Sequence, residues 1–363
     1  MAYRHLAYQD VRDFCIKVFQ GYNFTEKQSQ QITDVLLEAD LSGIESHGIQ
    51  RLTRYHFEMT SGFVKLDTTP EIVYETPISA VIDGKDGMGQ LIGIQAMELA
   101  IEKAKKCGFG IVTVRDSNHY GIAGYYANMA AREDMIGICM TNSESIMVPT
   151  FGKEAMLGTN PIAFAMPADP VPFSFDAATT VVPRGKLEVY AKRGNGIPDG
   201  WALDETGQPS SDSDRVLKNI IAKSGGGILP LGGAGETTSG YKGYGFGMIV
   251  EIMTGILASG CTSNHVNRTP GRVNTSQCYI ALDYGIFGDK AEMKKHMSVF
   301  LQEIRDSQKA DGQDRIYIQG EKEYEHHEKV LREGIPVNEK TYSEMIRIGE
   351  YTGASHLLPK YID

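Results

Sequence analysis

Apolar residues in the first third of the chain recur at helical intervals. Residues 25–40 open with Thr25 and Gln28 at capping-box spacing. They continue with Ile32, Val35, Leu36 and Ala39 at i, i+3, i+4 and i+7, which predicts a capped amphipathic helix. A short loop, SGIESHG (42–48), leads to a second helix carrying Ile49, Leu52 and Met59, with Gly62 as its stop. ISAVID (78–83) reads as a strand, and residues 90–107 as a helix ended by Gly108. The stretch FGIVTVRD-SNHYG-IAGYYANMAARED-MIGICMTNS reads strand, loop, helix, strand, and IAFAMP (162–167) and FSFD (173–176) are further short strands. Residues 183–231 are rich in Gly, Pro, Ser and Asp and predict long loops with one short helix near 214–222. Residues 244–258 form an apolar, glycine-containing helix expected to be buried. From about 289 charged helices alternate with one strand, RIYIQG. Such alternation predicts an α/β sheet, and no internal repeat interrupts it.

The 363 residues are too many for one simple core and suggest two or three domains. A hydrophobic fraction of 41% with 23% charged residues is that of an ordinary globular protein. The 40 glycines cluster in short motifs, as at tight turns or close approaches to a ligand. Against 46 acidic residues stand 36 Lys and Arg, a net charge of −10 with no basic cluster, so the chain lacks the footprint of a nucleic-acid binder. An anionic substrate must then be met by a few local cations. The five cysteines, Cys15, Cys107, Cys139, Cys261 and Cys278, are odd in number and scattered, which argues against a disulfide framework and a cysteine metal site. The beginning, MAYRHLAYQDVRDF, has no apolar signal core, and no stretch reaches membrane-spanning length; the expected location is the cytoplasm.

Four segments could carry chemistry. Ser46-His47-Gly48-Ile49-Gln50-Arg51 puts His47 and Arg51 at i and i+4 if a helix begins near Gly48. Arginine meets a carboxylate bidentately, and histidine exchanges protons near neutrality; a helix start with a surface arginine reads the same way. Asp116-Ser117-Asn118-His119-Tyr120-Gly121 lies between a predicted strand and helix, where open α/β sheets bind ligands, though a structural turn fits equally. Gly158-Thr159-Asn160-Pro161 and Asp176-Ala177-Ala178-Thr179-Thr180 offer small and hydroxylated residues at strand ends, where a backbone can approach phosphate or ribose; ordinary turns look alike. LPLGGAGETTSGYKGYGFG (229–247) resembles a phosphate cradle with Lys242 as counter-charge, but no G-K-[ST] occurs, and tight helix packing explains the glycines equally well. The dinucleotide fingerprint G-x-G-x-x-G is absent throughout, which decides against a Rossmann domain. His326-His327 sits in a run of charges and reads as a solvated face rather than a metal site.

In order and wording, SHGIQR, DSNHYGIAGYYA, GTNPIAFAMP, FDAATT, RGK, IPDGWALDETGQP, LPLGGAGETTSGYKGYGFGMIVEIMTGILASG and IYIQGE resemble the malate/L-lactate dehydrogenase family over about residues 5–340. That non-Rossmann family also holds ureidoglycolate and sulfolactate dehydrogenases, diketogulonate reductase and cyclic-imine reductases. The resemblance implies a nicotinamide-binding mixed sheet flanked by helices, with a helical, substrate-binding part built from both termini. In residue numbers these are 1–115 with 289–363 for the helical and dimerisation part, and 116–288 for the cofactor domain. It implies a homodimer whose active site lies between domains. It implies His47 (with Ser46 of the S-H-G motif) or His119 as proton donor and acceptor, and Arg51 on the substrate carboxylate. Cofactor contacts would fall on Ser143, Thr159, Asn160, Asp176, Ala177, Ala178, Thr179, Thr180, Lys242, Gly320 and Glu321, with no metal. The family often has Asp-Met-Ala-Thr-Ser where this chain has Asp176–Thr180, and Pro-Gly-Glu in place of Gln319-Gly320-Glu321. These departures leave NAD or NADP open, with NAD favoured.

The expected reaction interconverts a small 2-hydroxy acid and its 2-oxo acid, malate and oxaloacetate or lactate and pyruvate, with hydride supplied by the nicotinamide. The same fold acting on ureidoglycolate or a cyclic imine is the nearest alternative. A metal-dependent hydrolase using His47 and His119 lacks H-E-x-x-H or H-x-x-E-H spacing, and a non-catalytic binding protein would hold cofactor without turnover.

Overall fold

Alternating apolar positions build the centre of the molecule, which a computed structural model describes from residue 3 to residue 362. Val112, Val114, Cys139, Ala163, Ala165, Tyr279 and Ala281 turn to one face of a seven-stranded sheet, where the helices Gly89–Cys107 and Ala123–Arg132 cover them. Ile111, Ile138, Ile162, Cys278 and Ile280 turn to the other face and pack with Met140, Val250 and Met253. The strands run, across the sheet, Glu71–Glu75, Ser79–Asp83, Phe109–Ser117, Thr275–Leu282, Ile136–Thr141, Ile162–Met166 and Phe173–Ala177. Only the Ser79–Asp83 and Phe109–Ser117 pair is parallel; every other neighbouring pair is antiparallel. A doubly wound dinucleotide domain is mostly parallel, so this sheet, with one parallel pair among its six, excludes it, as the missing glycine fingerprint implied.

A second core draws on both ends of the chain. Val11, Phe14, Val18, Leu36, Leu52 and Tyr55 from the first helices pack with Val330, Met345 and Ile348 from the last two α-helices and with Ile335 and Val337 from the strand between them. Ile335–Asn338 pairs antiparallel with Tyr3–Leu6, tying the two ends together. Residues 1, 2 and 363 of the expected terminal part lie outside the described residues. The Phe109–Ser117 strand runs across positions 115 and 116, the expected boundary between the terminal part and the cofactor part. A small third core of Ile146, Val182, Leu187, Val216, Ile220 and Ile228 sits under Arg184–Lys192 and Ser213–Ala222.

Three expectations need correction. RIYIQG is not a strand: Ile318 N–H donates to Glu321 and only Gln319 O accepts from the sheet edge, at Ser174, so the segment is irregular and the strand here is Ile335–Asn338. The loop region from 183 contains a second helix, Arg184–Lys192, whose Gly185 and preceding Pro183 masked it. The apolar helix Gly240–Glu251, continued as a π-turn over Ile252–Ile256, is not buried. Gly243 and Gly247 face inward, where a Cβ would overlap Leu231 backbone or the Met147 methyl. The large side chains therefore point out: Phe246, Ile249, Ile252 and Ile256 are 49%, 48%, 46% and 57% exposed.

Candidate active site

The S-H-G segment is shaped by a buried carboxyl. The helix Glu26–Leu41 is capped at its start by Thr25 and Gln28, as its sequence predicts, and ends just after Asp40. Asp40 is 5% exposed, and its Oδ2 accepts from Ile49 N–H at 2.7 Å. Burial pushes its carboxyl up to about 8. That bond anchors the short 3-10 turn Ile49–Arg51 and the following helix Leu52–Thr60. A Cβ on Gly48 would overlap the Asp40 carboxylate, so the chain passes there only without a side chain. His47 and Arg51 emerge on either side of this passage and both line a cavity of about 610 Å³.

The S-N-H segment enters the same cavity from the sheet. At the end of Phe109–Ser117, Asn118 donates its amide to Phe63 O, Asp86 O and Gly87 O at 3.3, 2.8 and 3.0 Å, while its Oδ1 is buried and unpartnered. These bonds aim His119 at His47: the rings stack at 5.5 Å between centroids, 24° from parallel. His47 Nδ1 lies 2.9 Å from Ser46 Oγ, and His119 Nδ1 lies 2.7 Å from Tyr55 Oη. Gly121 N–H, which can only donate, also approaches His119 Nδ1, at 3.5 Å. Burial holds the Tyr55 phenol protonated by raising it well above its ordinary value. Two donors therefore meet Nδ1, and the neutral His119 ring carries its proton on Nε2. Enclosure, then Arg51 and Arg54, lower His47 to about 4; enclosure, then Arg54, His47 and Arg51, lower His119. Both rings are neutral at neutral pH, so the pair can accept a proton from a hydroxyl or hold an oxygen through an N–H.

The cavity is lined as well by Thr141, Ser143, Thr159, Pro161, Asp176, Ala177 and Ala178. Ser143 Oγ accepts from Thr159 N–H at 3.1 Å, and Asp176 Oδ2 accepts from Gly124 N–H at 2.7 Å at the start of Ala123–Arg132. Beyond Asp176 and Glu323, which border both, a second cavity of about 190 Å³ continues past Ser174 and Gly320.

Of the residues singled out from sequence, Ser46, His47, Arg51, His119, Ser143, Thr159, Asp176, Ala177 and Ala178 share the larger cavity, and Gly320 borders the smaller. The others stand elsewhere. Asn160 is fully buried, donating to Glu251 at 2.8 Å and Gly247 O at 3.1 Å. Thr179 and Thr180 spend their hydroxyls on Thr159 O and Val182 O. Glu321 is clamped between Arg305 at 2.6 Å and Arg315 at 3.0 Å, and Lys242 is exposed on the outward-facing apolar helix. Sequence reasoning passed over Tyr55 and Arg54, and quoted Asn118 and Arg184 within motifs without giving either a role. Arg54, in the helix that Arg51 caps and three positions after it, was the one with a legible signal.

A family profile described as malate/L-lactate dehydrogenase matches residues 6–346. A malate dehydrogenase of Pyrococcus abyssi is 44% identical over 357 residues, 98% of this chain and 97% of that protein. An L-sulfolactate dehydrogenase of Methanocaldococcus jannaschii is 36% identical, covering 94% of this chain and 95% of that one. The crystal structure of malate dehydrogenase from Entamoeba histolytica superposes with a TM-score of 0.93 at 36% identity, covering 97% of this chain and 99% of that one.

Proposed function

The chain belongs to the malate/L-lactate dehydrogenase family, and from that premise we propose that it interconverts malate and oxaloacetate in the cavity shared by His47, His119 and Arg51. As a 2-hydroxy acid dehydrogenase it uses a nicotinamide cofactor. The observation that carries the site assignment is the stacked histidine pair, brought from two distant segments to face one arginine in one cavity.

The residues present suit a dinucleotide. The larger cavity lies within the size range of small-molecule and cofactor sites. It has an apolar shelf of Ile122, Pro161, Ala177 and Ala178, a row of hydroxyls, and the unpartnered amide oxygen of Asn118. The smaller cavity extends it past Gly320, with Glu38, Asp176 and Glu323 on its walls and no lysine or arginine. That acidic lining supports NAD, whose ribose diol can donate to carboxylates, over NADP, whose added phosphate would be repelled. When bound, the nicotinamide gives or takes the hydride at the substrate's second carbon.

Arg51 holds the carboxylate beside the reacting carbon through its terminal nitrogens, its Nε being tied to Ser46 O. His47, whose Nδ1 faces the Ser46 hydroxyl, moves the proton. Neutral in the free protein, it accepts from the hydroxyl of malate. In the reverse direction the incoming carboxylate offsets the charge of Arg51 and raises the affinity of His47 for a proton. His119, with its proton fixed on Nε2 by Tyr55, donates a hydrogen bond to the substrate oxygen.

No helix among the described residues is long and apolar enough to cross a membrane, and we assign the protein to the cytoplasm, which its five free cysteines support. A homodimer is part of the proposal, supported by the outward stripe Phe246, Ile249, Ile252 and Ile256. The test follows NADH and NADPH absorbance against oxaloacetate, pyruvate, other 2-oxo acids and a cyclic imine. Fastest turnover with oxaloacetate and NADH is expected. Reduction of the imine alone, or of none, contradicts the assignment.

A further inference from the structure

The histidine pair is flanked by two guanidinium groups that are held alike. Arg51 and Arg54 lie three residues apart, so their side chains are neighbours, and both line the larger cavity. Each is tethered through Nε, Arg51 to Ser46 O and Arg54 to Glu58 Oε1, the latter at 2.7 Å. Among the described residues neither side chain uses a terminal nitrogen in a hydrogen bond. A guanidinium has five donors in a rigid fork, and the terminal pair is the part that meets a carboxylate two-pronged. The tethers therefore fix two forks and leave both free to bind.

The charges are distributed to match. Of the charged groups acting on His47, Arg51 is the strongest; of those acting on His119, Arg54 is the strongest. Both guanidinium groups thus act on both rings, and all four side chains line the one cavity. Of the acids that line the cavity, Glu144 is paired to Lys223 at 2.6 Å, and Glu58 is engaged by Arg54 Nε, which leaves the terminal nitrogens of Arg54 for a further anion. A substrate with one carboxylate would satisfy Arg51 and set an apolar end against Arg54.

We propose that Arg54 binds the second acidic group of the substrate, so that the cavity selects a four-carbon 2-oxo dicarboxylate, or an acid with a sulfonate in that place, over pyruvate. This rests on the reaction and site assigned above, and names the residue that sets the substrate class.

The experiment measures kcat/KM for oxaloacetate and pyruvate in the wild type, Arg51→Gln, Arg54→Gln, Arg54→Lys and Arg184→Gln, with NADH affinity followed by fluorescence. The wild type is expected to favour oxaloacetate. Arg54→Gln should reduce that preference by roughly 10- to 100-fold, the value of one charged hydrogen-bonding contact, mainly through KM. Arg54→Lys, which keeps the charge without the fork, should restore part of it. Arg51→Gln should impair both acids, because both carry the carboxylate it holds. NADH affinity near wild type reports an intact fold in each variant. Equal losses on both acids in Arg54→Gln, a wild type that favours pyruvate, or a collapse of preference in Arg184→Gln instead would overturn the proposal. Wild-type protein that binds NADH but reduces neither acid overturns the reaction assignment, and this inference with it.

Discussion

Replacing Gly48 by Ala tests whether the buried Asp40 shapes the active site. The backbone at Gly48 has φ −85°, which any residue adopts, so strain at that angle is not the obstacle. The obstacle is room: the new methyl overlaps Oδ1, Cγ and Oδ2 of Asp40 at once. Forcing a methyl into such a site costs about 1–3 kcal/mol. Moving Asp40 aside strips Ile49 N–H of its 2.7 Å partner, and a buried donor left unpaired costs about 1–3 kcal/mol more. The sum, roughly 2–6 kcal/mol, is a large part of an ordinary domain's stability. His47 and Arg51 flank the displaced peptide, and a misplacement of about 1 Å at such groups lowers turnover roughly 100-fold. Chemical denaturation and steady-state kinetics on the wild type, Gly48→Ala, Asp40→Ala and the double variant form a cycle. Once Asp40 is Ala the overlap is gone, so Gly48→Ala should then cost less than about 1 kcal/mol. Gly245→Ala, a helical position with open space around its missing side chain and no positive φ, supplies the comparison without a clash. Equal costs for Gly48→Ala in both backgrounds would refute the reasoning.

Three further outcomes are expected. Asp40 takes up its proton at about 8 in the folded chain, above its usual carboxylate value near 3.9. The folded state therefore binds a proton that the unfolded state releases, and stability falls as pH rises from about 4 to 8, by up to about 1.4 kcal/mol per unit. Asp40→Asn should flatten a plot of Tm against pH over that window, and parallel curves would contradict this. Tyr55→Phe removes the hydroxyl that fixes the His119 tautomer and should lower kcat by up to about tenfold with NADH affinity retained; unchanged kcat counts against the role. Ile252→Glu, on the exposed apolar stripe, should convert a dimer to a monomer in light scattering, and a wild type that is already monomeric removes the dimer from the account.

Local chemistry decided what could be read from the chain. The Thr25–Gln28 cap, the Gly108 stop and the period-two strands were legible because short-range rules specify them. The two histidine motifs were legible as wording, but their meeting was not. His47 and His119 reach each other through Asp40, Asn118 and Tyr55, whose bonds span long stretches of sequence. The helix from Gly240 was misread because hydrophobicity does not say which side faces inward: small glycines pack against the core while its bulky residues face out. RIYIQG has strand-like composition, but the bonds of Arg315 and Ile318 to Glu321 hold it out of the sheet. Asn160 and Glu321 were assigned as cofactor contacts through the family resemblance of their motifs; their neighbours Thr159, Pro161 and Gly320 border the cavities, while their own side chains are bonded to Glu251 and Arg305.

The central claim is that the two histidines, met in one cavity, carry the proton chemistry of a nicotinamide-dependent 2-hydroxy acid dehydrogenase. The most direct measurement is the rate of NADH oxidation by oxaloacetate in the wild type, His47→Ala and His119→Ala, with NADH affinity determined in parallel. Turnover should fall in both variants, by about 10²–10⁴-fold where the proton carrier is removed, while NADH affinity stays near wild type. Wild-type turnover in both variants would contradict it.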